Sequence, residues 1–298
     1  MRVSEKVYIV DTKALGFEQV VACYLVRGRK TALVDTGYAS SSDHTLESLK
    51  NLGVEKLDYI IPTHVHLDHC GAAWKIAEHY PGATVLAHER AVKHLVDPSR
   101  LKASVLELYG EEVVKMFGPL EPIEGSRVFK AGDGETLQLG DVELTFIYTP
   151  GHAPHQLSVA VSDGSVITAD AVPAKYMGKP FIIPTTPPPS FDLQQYIASL
   201  RKIGQLGAKT FHTPHFGPTR ADGEWVETLV GKVMSWFETA EAVIRGGGGL
   251  PQLLETLERK TVEEAGMELP VYARNLLKLS VMGLYQYVSS KDRAIRRN

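Results

Sequence analysis

His64-Val65-His66-Leu67-Asp68-His69 places four metal-ligand side chains within six positions, directly after the apolar, strand-like run 57–61. This cluster constrains the chain more than any other feature. His64 and His66 stand two apart, so at an extended strand end they project to the same side and can chelate one ion. Asp68 and His69 follow where the strand gives way to a turn, with Gly71 just beyond, and are free to point at a second ion. Imidazole nitrogens with a carboxylate suit zinc, with iron or manganese as the other fits.

Length and composition set the frame. The 298 residues make one large domain or two ordinary ones. With 44% hydrophobic and 22% charged residues, the chain can bury a real core. A net charge of −3 recruits neither nucleic acid nor an anionic membrane. The start lacks the apolar stretch of a signal peptide, and no run approaches transmembrane length. Two cysteines, Cys23 and Cys70, fit a reducing cytoplasm.

Strand-like runs at 7–10, 20–26 and 31–34 lead to Asp35-Thr36-Gly37 and a helix over 43–52, stopped by Gly53. A helix over 72–79 and a strand at 84–87 follow the ligand cluster. Residues 98–118 read as a helical insertion. Further strands are expected at 136–139, 142–148, 156–161, 165–168 and 209–213, and helices at 193–206, 225–244, 252–259 and 271–289. Three of these strands end on metal-capable residues: His152 after Thr149-Pro150-Gly151, Asp170 after Ala169, and His215 after Pro214. Strand ends that converge at one sheet edge supply function on a rigid frame.

His64-x-His66-x-Asp68-His69, Pro150-Gly151-His152, Thr168-Ala169-Asp170 and Pro214-His215-Phe216-Gly217-Pro218, in this order, resemble the motifs of the metallo-β-lactamase superfamily, and Asp35-Thr36-Gly37 resembles its early strand-turn. The resemblance spans about residues 7–220. It implies an α/β (α+β) αββα sandwich with a dinuclear site at its edge, in a glyoxalase II-like or lactonase-like branch. By the same resemblance, His64, His66 and His152 hold a first metal, Asp68, His69 and His215 a second, and Asp170 bridges them. The organisation expected is a catalytic domain over 1–220 and a C-terminal helical extension over 221–298, packed on or beside it.

His155 competes with His152 and His212 with His215; the Pro-containing turns favour His152 and His215. His155 and His212 are then groups that orient a ligand or face solvent. His44, His79, His88 and His94 lie in or beside helical stretches and read as ordinary, and Cys70 as a small buried thiol. Residues 172–190 follow Asp170 with apolar, aromatic and proline content that suits a pocket wall or lid. There Tyr176 is placed to hydrogen-bond a developing oxyanion, and Lys175 or Lys179 to meet a substrate carboxylate. The spacing of Asp170 to Tyr176 is longer than in the family's lactone hydrolases, and Lys175-Tyr176 meets the pattern of its glutathione-thioester hydrolases only loosely. Tyr109 and Met116 in the insertion read as core packing before pocket lining.

Two cations held about 3.5–4 Å apart make a water acidic and polarise a carbonyl. The expected function is therefore a dinuclear metal-dependent hydrolase of a small carboxylic ester, lactone or thioester, acting through a metal-bridging hydroxide, with Asp68 as nucleophile orienter and proton relay. The cofactors expected are two divalent ions, zinc first. The partner is a small-molecule substrate, with no nucleic acid and no membrane, and a homodimer is left open. The alternatives are a phosphodiesterase or RNA nuclease, to which the basic tail at 291–298 lends a little weight, and an iron-dependent sulfur-oxidising oxygenase of the same fold.

Overall fold

The structure, a computed structural model, describes residues 1–295; residues 296–298 of the basic tail lie outside the described residues. Two six-stranded sheets form it. The first runs in sequence order: β1 (Val7–Asp11), β2 (Ala22–Arg27), β3 (Thr31–Val34), β4 (Tyr59–Ile61), β5 (Thr84–Ala87) and β6 (Val128–Lys130). β1 to β3 are antiparallel, and β3 to β6 parallel. The second sheet contains β7 (Thr136–Gln138), β8 (Glu143–Tyr148), β9 (Leu157–Val161), β10 (Ser165–Ile167), β11 (Thr210–Thr213) and β12 (Gly217–Thr219), with only the β10–β11 pair parallel.

Strand periodicity explains the layering. In β2, Tyr24 and Val26 join Leu144, Phe146, Val159 and Ile167 of the second sheet in one core. The alternate residues Cys23 and Leu25 point the other way, into a cluster with Leu49 of α1 (Ser42–Asn51). The helices α2 (Leu67–Cys70), α3 (Ala73–His79) and α4 (Glu89–Val96) follow on this side, and Ile76, Ala91 and Leu95 join the same cluster. The insertion is two helices, α5 (Ser99–Tyr109) and α6 (Glu111–Phe117), broken at Gly110. Its Val105 and Phe117 cluster with Leu67, Tyr109 packs on Phe117, and Met116 is exposed. On the outer face of the second sheet, Val166 and Phe211 meet Leu200 and Ile203 of α7 (Leu193–Gly204). The order is helix, sheet, sheet, helix.

Three helices close the chain: α8 (Gly223–Arg245), α9 (Leu250–Ala265) and α10 (Val271–Ile295). Trp236, Leu253, Leu257, Ala273, Leu277, Leu284 and Val288 belong to the same apolar cluster as the inter-sheet residues, and Leu276 packs on its margin. Helix α10 also docks on the proline-rich segment after Asp170. Thr186 Oγ1 donates to the Ser280 carbonyl at 2.7 Å, and a Cβ on Gly283 would stand 2.2 Å from the Thr186 oxygen. No helix among the described residues is long and apolar enough to cross a membrane.

Helix α4 and the strands β6 and β12 have no range in the sequence reading, and α2 stands where a turn is expected. Helix α4 starts on His88, whose Nδ1 accepts from the Arg90 amide at 3.0 Å in place of a Ser or Asp cap. β6 and β12 are three-residue edge strands, too short to show a period.

Candidate metal centre

The site forms where β3, β4, β8, β10 and β11 end. Register puts Val34 opposite Ile61, so Asp35 and Thr63 emerge side by side. His64 is fully buried, and the Thr63 carbonyl takes the Leu157 amide at 2.9 Å, tying this strand end to the second sheet. At His66 the backbone turns. Its carbonyl accepts from the His69 and Cys70 amides at 3.0 and 2.9 Å, and that single turn swings Asp68 and His69 away from the strand direction. Gly71 makes the turn fit, since a Cβ there would lie 2.4 Å from the Leu67 oxygen. Gly151 does the same for His152: its φ is +129°, and a Cβ would lie 2.2 Å from the Tyr196 nitrogen.

The seven residues singled out as ligands lie together. Their ligand atoms form three groups, His64–His66–His152, His64–His69–Asp170 and Asp68–His69–His215, with the atoms of each within 4.8 Å of one another. Asp170 sits between them. Its Oδ2 is 3.3 Å from His152 Nε2 and 3.7 Å from His69 Nε2, while Oδ1 is 3.4 Å from His215 Nε2. His69 Nε2 is also 3.4 Å from Asp68 Oδ2. Only His66 and Asp68 keep appreciable exposure.

Hydrogen bonding fits this set to cations. His66 Nδ1 lies 3.0 Å from His64 Nε2 and 2.8 Å from His152 Nε2. His152 Nδ1 donates to the Thr185 carbonyl at 2.9 Å, which leaves Nε2 of the neutral ring as a lone pair. One proton on His66 Nδ1 cannot serve both neighbours, whereas a cation among the three nitrogens can. His69 Nε2, Asp170 Oδ1 and both ring nitrogens of His215 are buried without a hydrogen-bond partner. Such orphans are rare in cores and need a specific cause.

Electrostatics points the same way. Burial, with neighbouring imidazoles, pushes His64 and His66 well below the usual histidine range, and burial lowers His152. Burial opposes ionisation of Asp68, yet His69 draws its pKa down to about 2; His215 and His152 similarly hold Asp170 well below the carboxylate range. For His69, burial is outweighed by Asp68 and Asp35, and for His215 by Asp170, so both pKa values rise. A cation entering here displaces protons from those two rings.

Asp35 is the residue that spacing did not single out for a role. Its Oδ2 accepts from His69 Nδ1 at 2.8 Å, and its Oδ1 accepts from Thr63 N and Oγ1, both at 2.8 Å. It thereby fixes the ring with Nε2 toward the cluster. Asp35 has φ 61°, a left-handed conformation that few non-glycine residues adopt. An acidic residue closing a strand just ahead of a glycine was the available signal. Thr185, within the proline-rich run, offered none.

The remaining candidates separate cleanly. The His155 ring lies 6.3 Å from that of His64 and 6.1 Å from that of His66, and burial takes its pKa down to about 3. His212 is buried against Tyr24, away from the cluster. The Cys70 thiol is buried and pushed up to about 12. Tyr176 is buried with its ring 5.9 Å from His215. Lys175 Nζ donates to the Lys179 carbonyl, and partial burial lowers its pKa.

Similar proteins share this architecture. The model of the Metallo-beta-lactamase superfamily matches residues 16–215. Metallo-beta-lactamase fold-containing protein ST1585 of Sulfurisphaera tokodaii is 32% identical over 67% of this chain and 74% of its own. Probable metallo-hydrolase MJ0888 of Methanocaldococcus jannaschii is 30% identical over 65% of this chain and 89% of its own. The crystal structure of metallo-beta-lactamase family protein TTHA1429 from Thermus thermophilus superposes with TM-score 0.66 at 21% identity, over 96% of this chain and 94% of that one. That last likeness is one of fold, and it extends over the C-terminal helices. With two sheets between helices and a histidine–aspartate cluster at their edge, the chain belongs to the metallo-beta-lactamase superfamily.

Proposed function

We propose that this chain is a dinuclear metal-dependent hydrolase of a small carboxylic ester, lactone or thioester. One observation carries the reading: seven ligand-capable side chains converge with nitrogen–nitrogen approaches of 2.8 and 3.0 Å that protons alone do not satisfy. In this reading His64, His66 and His152 would hold one ion, Asp68, His69 and His215 would hold the other, and Asp170 would serve both. Zinc suits these donors first. The relative MJ0888, named a probable metallo-hydrolase, supports the reaction class.

When bound, two divalent ions would supply Lewis acidity and lower the pKa of a water enough to make hydroxide available near neutral pH. The protein's own residues do the rest. Asp35 and the Thr185 carbonyl lock the tautomers of His69 and His152, so that lone pairs face the centre. Asp170, ionised and buried, sets the separation of the two halves. Asp68 is ionised, with its side chain 19% accessible, and can orient the attacking water and pass a proton to the leaving atom. The buried cluster holds its donors ready, so little rearrangement is needed as charge develops.

The test is a panel of aryl esters, lactones and thioesters assayed before and after chelation. Turnover of at least one class, lost on chelation and restored by zinc or manganese, is the expected result. Metal-replete protein inert toward all three classes would overturn the reading.

A further inference from the structure

A second group of imidazoles stands beside the metal centre. His155, in the turn ahead of β9, has its ring 6.1 Å from that of His66, and the ring of His94 in α4 lies 6.3 Å from that of His155. His66, His155 and His94 thus form a row, and all three are half-buried, whereas the other histidines of the ligand set are buried. His155 Nδ1 is buried with no hydrogen-bond partner. A buried nitrogen in that state needs a specific cause.

Spacing and charge state both suit the outer pair to a cation. Two rings that share one ion through bonds of about 2.0–2.1 Å stand roughly 5–6 Å apart between centroids. The 6.3 Å between His94 and His155 closes to that by a small side-chain rotation. His69 and His215, assigned to one ion in the proposed function, stand 6.4 Å apart. Burial lowers the pKa of His94 and takes that of His155 down to about 3, so each ring is neutral and keeps a lone pair. His88, on the same stretch of chain, does not join them. Its Nδ1 accepts from the Arg90 amide, which leaves the proton of the neutral ring on Nε2. With two protein donors, and with Lys93 and Arg100 set against Asp97 around His94, an ion here is held weakly.

We propose that His94 and His155 form an outer site for a zinc-class divalent ion, next to His66 and weaker than the central ligand set. Water completes the coordination that two imidazoles leave open. The site does not depend on which reaction the centre performs. An ion reaches a buried ligand set past its exposed members, and the outer pair flanks His66, the half-buried histidine of that set.

Equilibrium dialysis of the metal-loaded full-length protein against zinc, with bound metal counted by elemental mass spectrometry, tests it. At about 100 µM free zinc, roughly a hundredfold above a micromolar Kd, such a site is close to full. The native protein should then hold one ion per chain beyond the complement it retains at nanomolar zinc. His94→Gln and His155→Gln should each weaken binding of that ion by at least about tenfold, with the central complement and the circular dichroism unchanged. His79→Gln, which removes an exposed imidazole at the end of α3, should leave the additional ion in place. No additional ion in the native protein, or one that survives either substitution in the pair, overturns the inference. A central complement below two, with the additional ion still lost in both variants, would keep the outer site and remove the dinuclear reading; two central ions and no additional one would do the reverse.

Discussion

Asp35 shows how much of this centre depends on residues that hold no metal in the proposed reading. Its carboxylate carries three contacts of 2.8 Å, two to Thr63 and one to His69 Nδ1. Asp35→Ala frees the His69 ring to turn. Loss of such a partner costs on the order of 10- to 100-fold in metal affinity or activity. The expected result is a drop of that size with the fold retained, read by metal titration and circular dichroism; unchanged affinity would remove Asp35 from the account. His212 gives a second prediction. Burial lowers its pKa to about 4, against an unfolded value near 6.5, so the fold holds the neutral ring. The unfolded chain takes up a proton as pH falls below about 6.5, and stability is lost until the folded ring also protonates near pH 4. A shift of this size is worth up to about 3 kcal/mol. His212→Phe should flatten the acid limb of stability relative to the native protein, measured by urea unfolding from pH 7 to 4. Identical slopes would contradict the assignment.

At the scale of elements, the strand ends were legible because their period was. Tyr24 and Val26 against Cys23 and Leu25 separate the two faces of β2, and the runs before His64 and His152 were apolar enough to announce strands. The seven ligand candidates were legible for a related reason: each closes a strand or a tight turn. What was not legible came from pairing across the fold. Asp35 meets His69 only through the register of β3 on β4, and Thr185 meets His152 from a segment without periodicity. Helix α4 escaped because a histidine caps it. The docking of α10 turns on one glycine. A Cβ at Gly283 would meet backbone atoms of Thr186 and Pro187 at 2.2 and 2.4 Å, with no flexible side chain to yield. Gly283→Ala is expected to destabilise by about 1–3 kcal/mol, read from the urea midpoint. A shift below a few tenths of a kcal/mol would show that α10 does not bear on that segment as described.

Over the whole molecule, the two sheets and the C-terminal helices bury one apolar cluster, and the ligand candidates gather where strands of both sheets run out. The ranges of the C-terminal helices were legible in the sequence, but that their apolar residues join the inter-sheet core could not be read from those ranges alone. In the proposed reading this edge would hold two metal ions, with Asp170 serving both. Elemental mass spectrometry on untagged protein purified without chelators tests it most directly, with Asp170→Ala alongside. Close to two zinc-class ions per chain are expected in the native protein, and at most one, with hydrolysis abolished, in the variant. One iron per chain in the native protein, or unchanged metal content and turnover in Asp170→Ala, would contradict it.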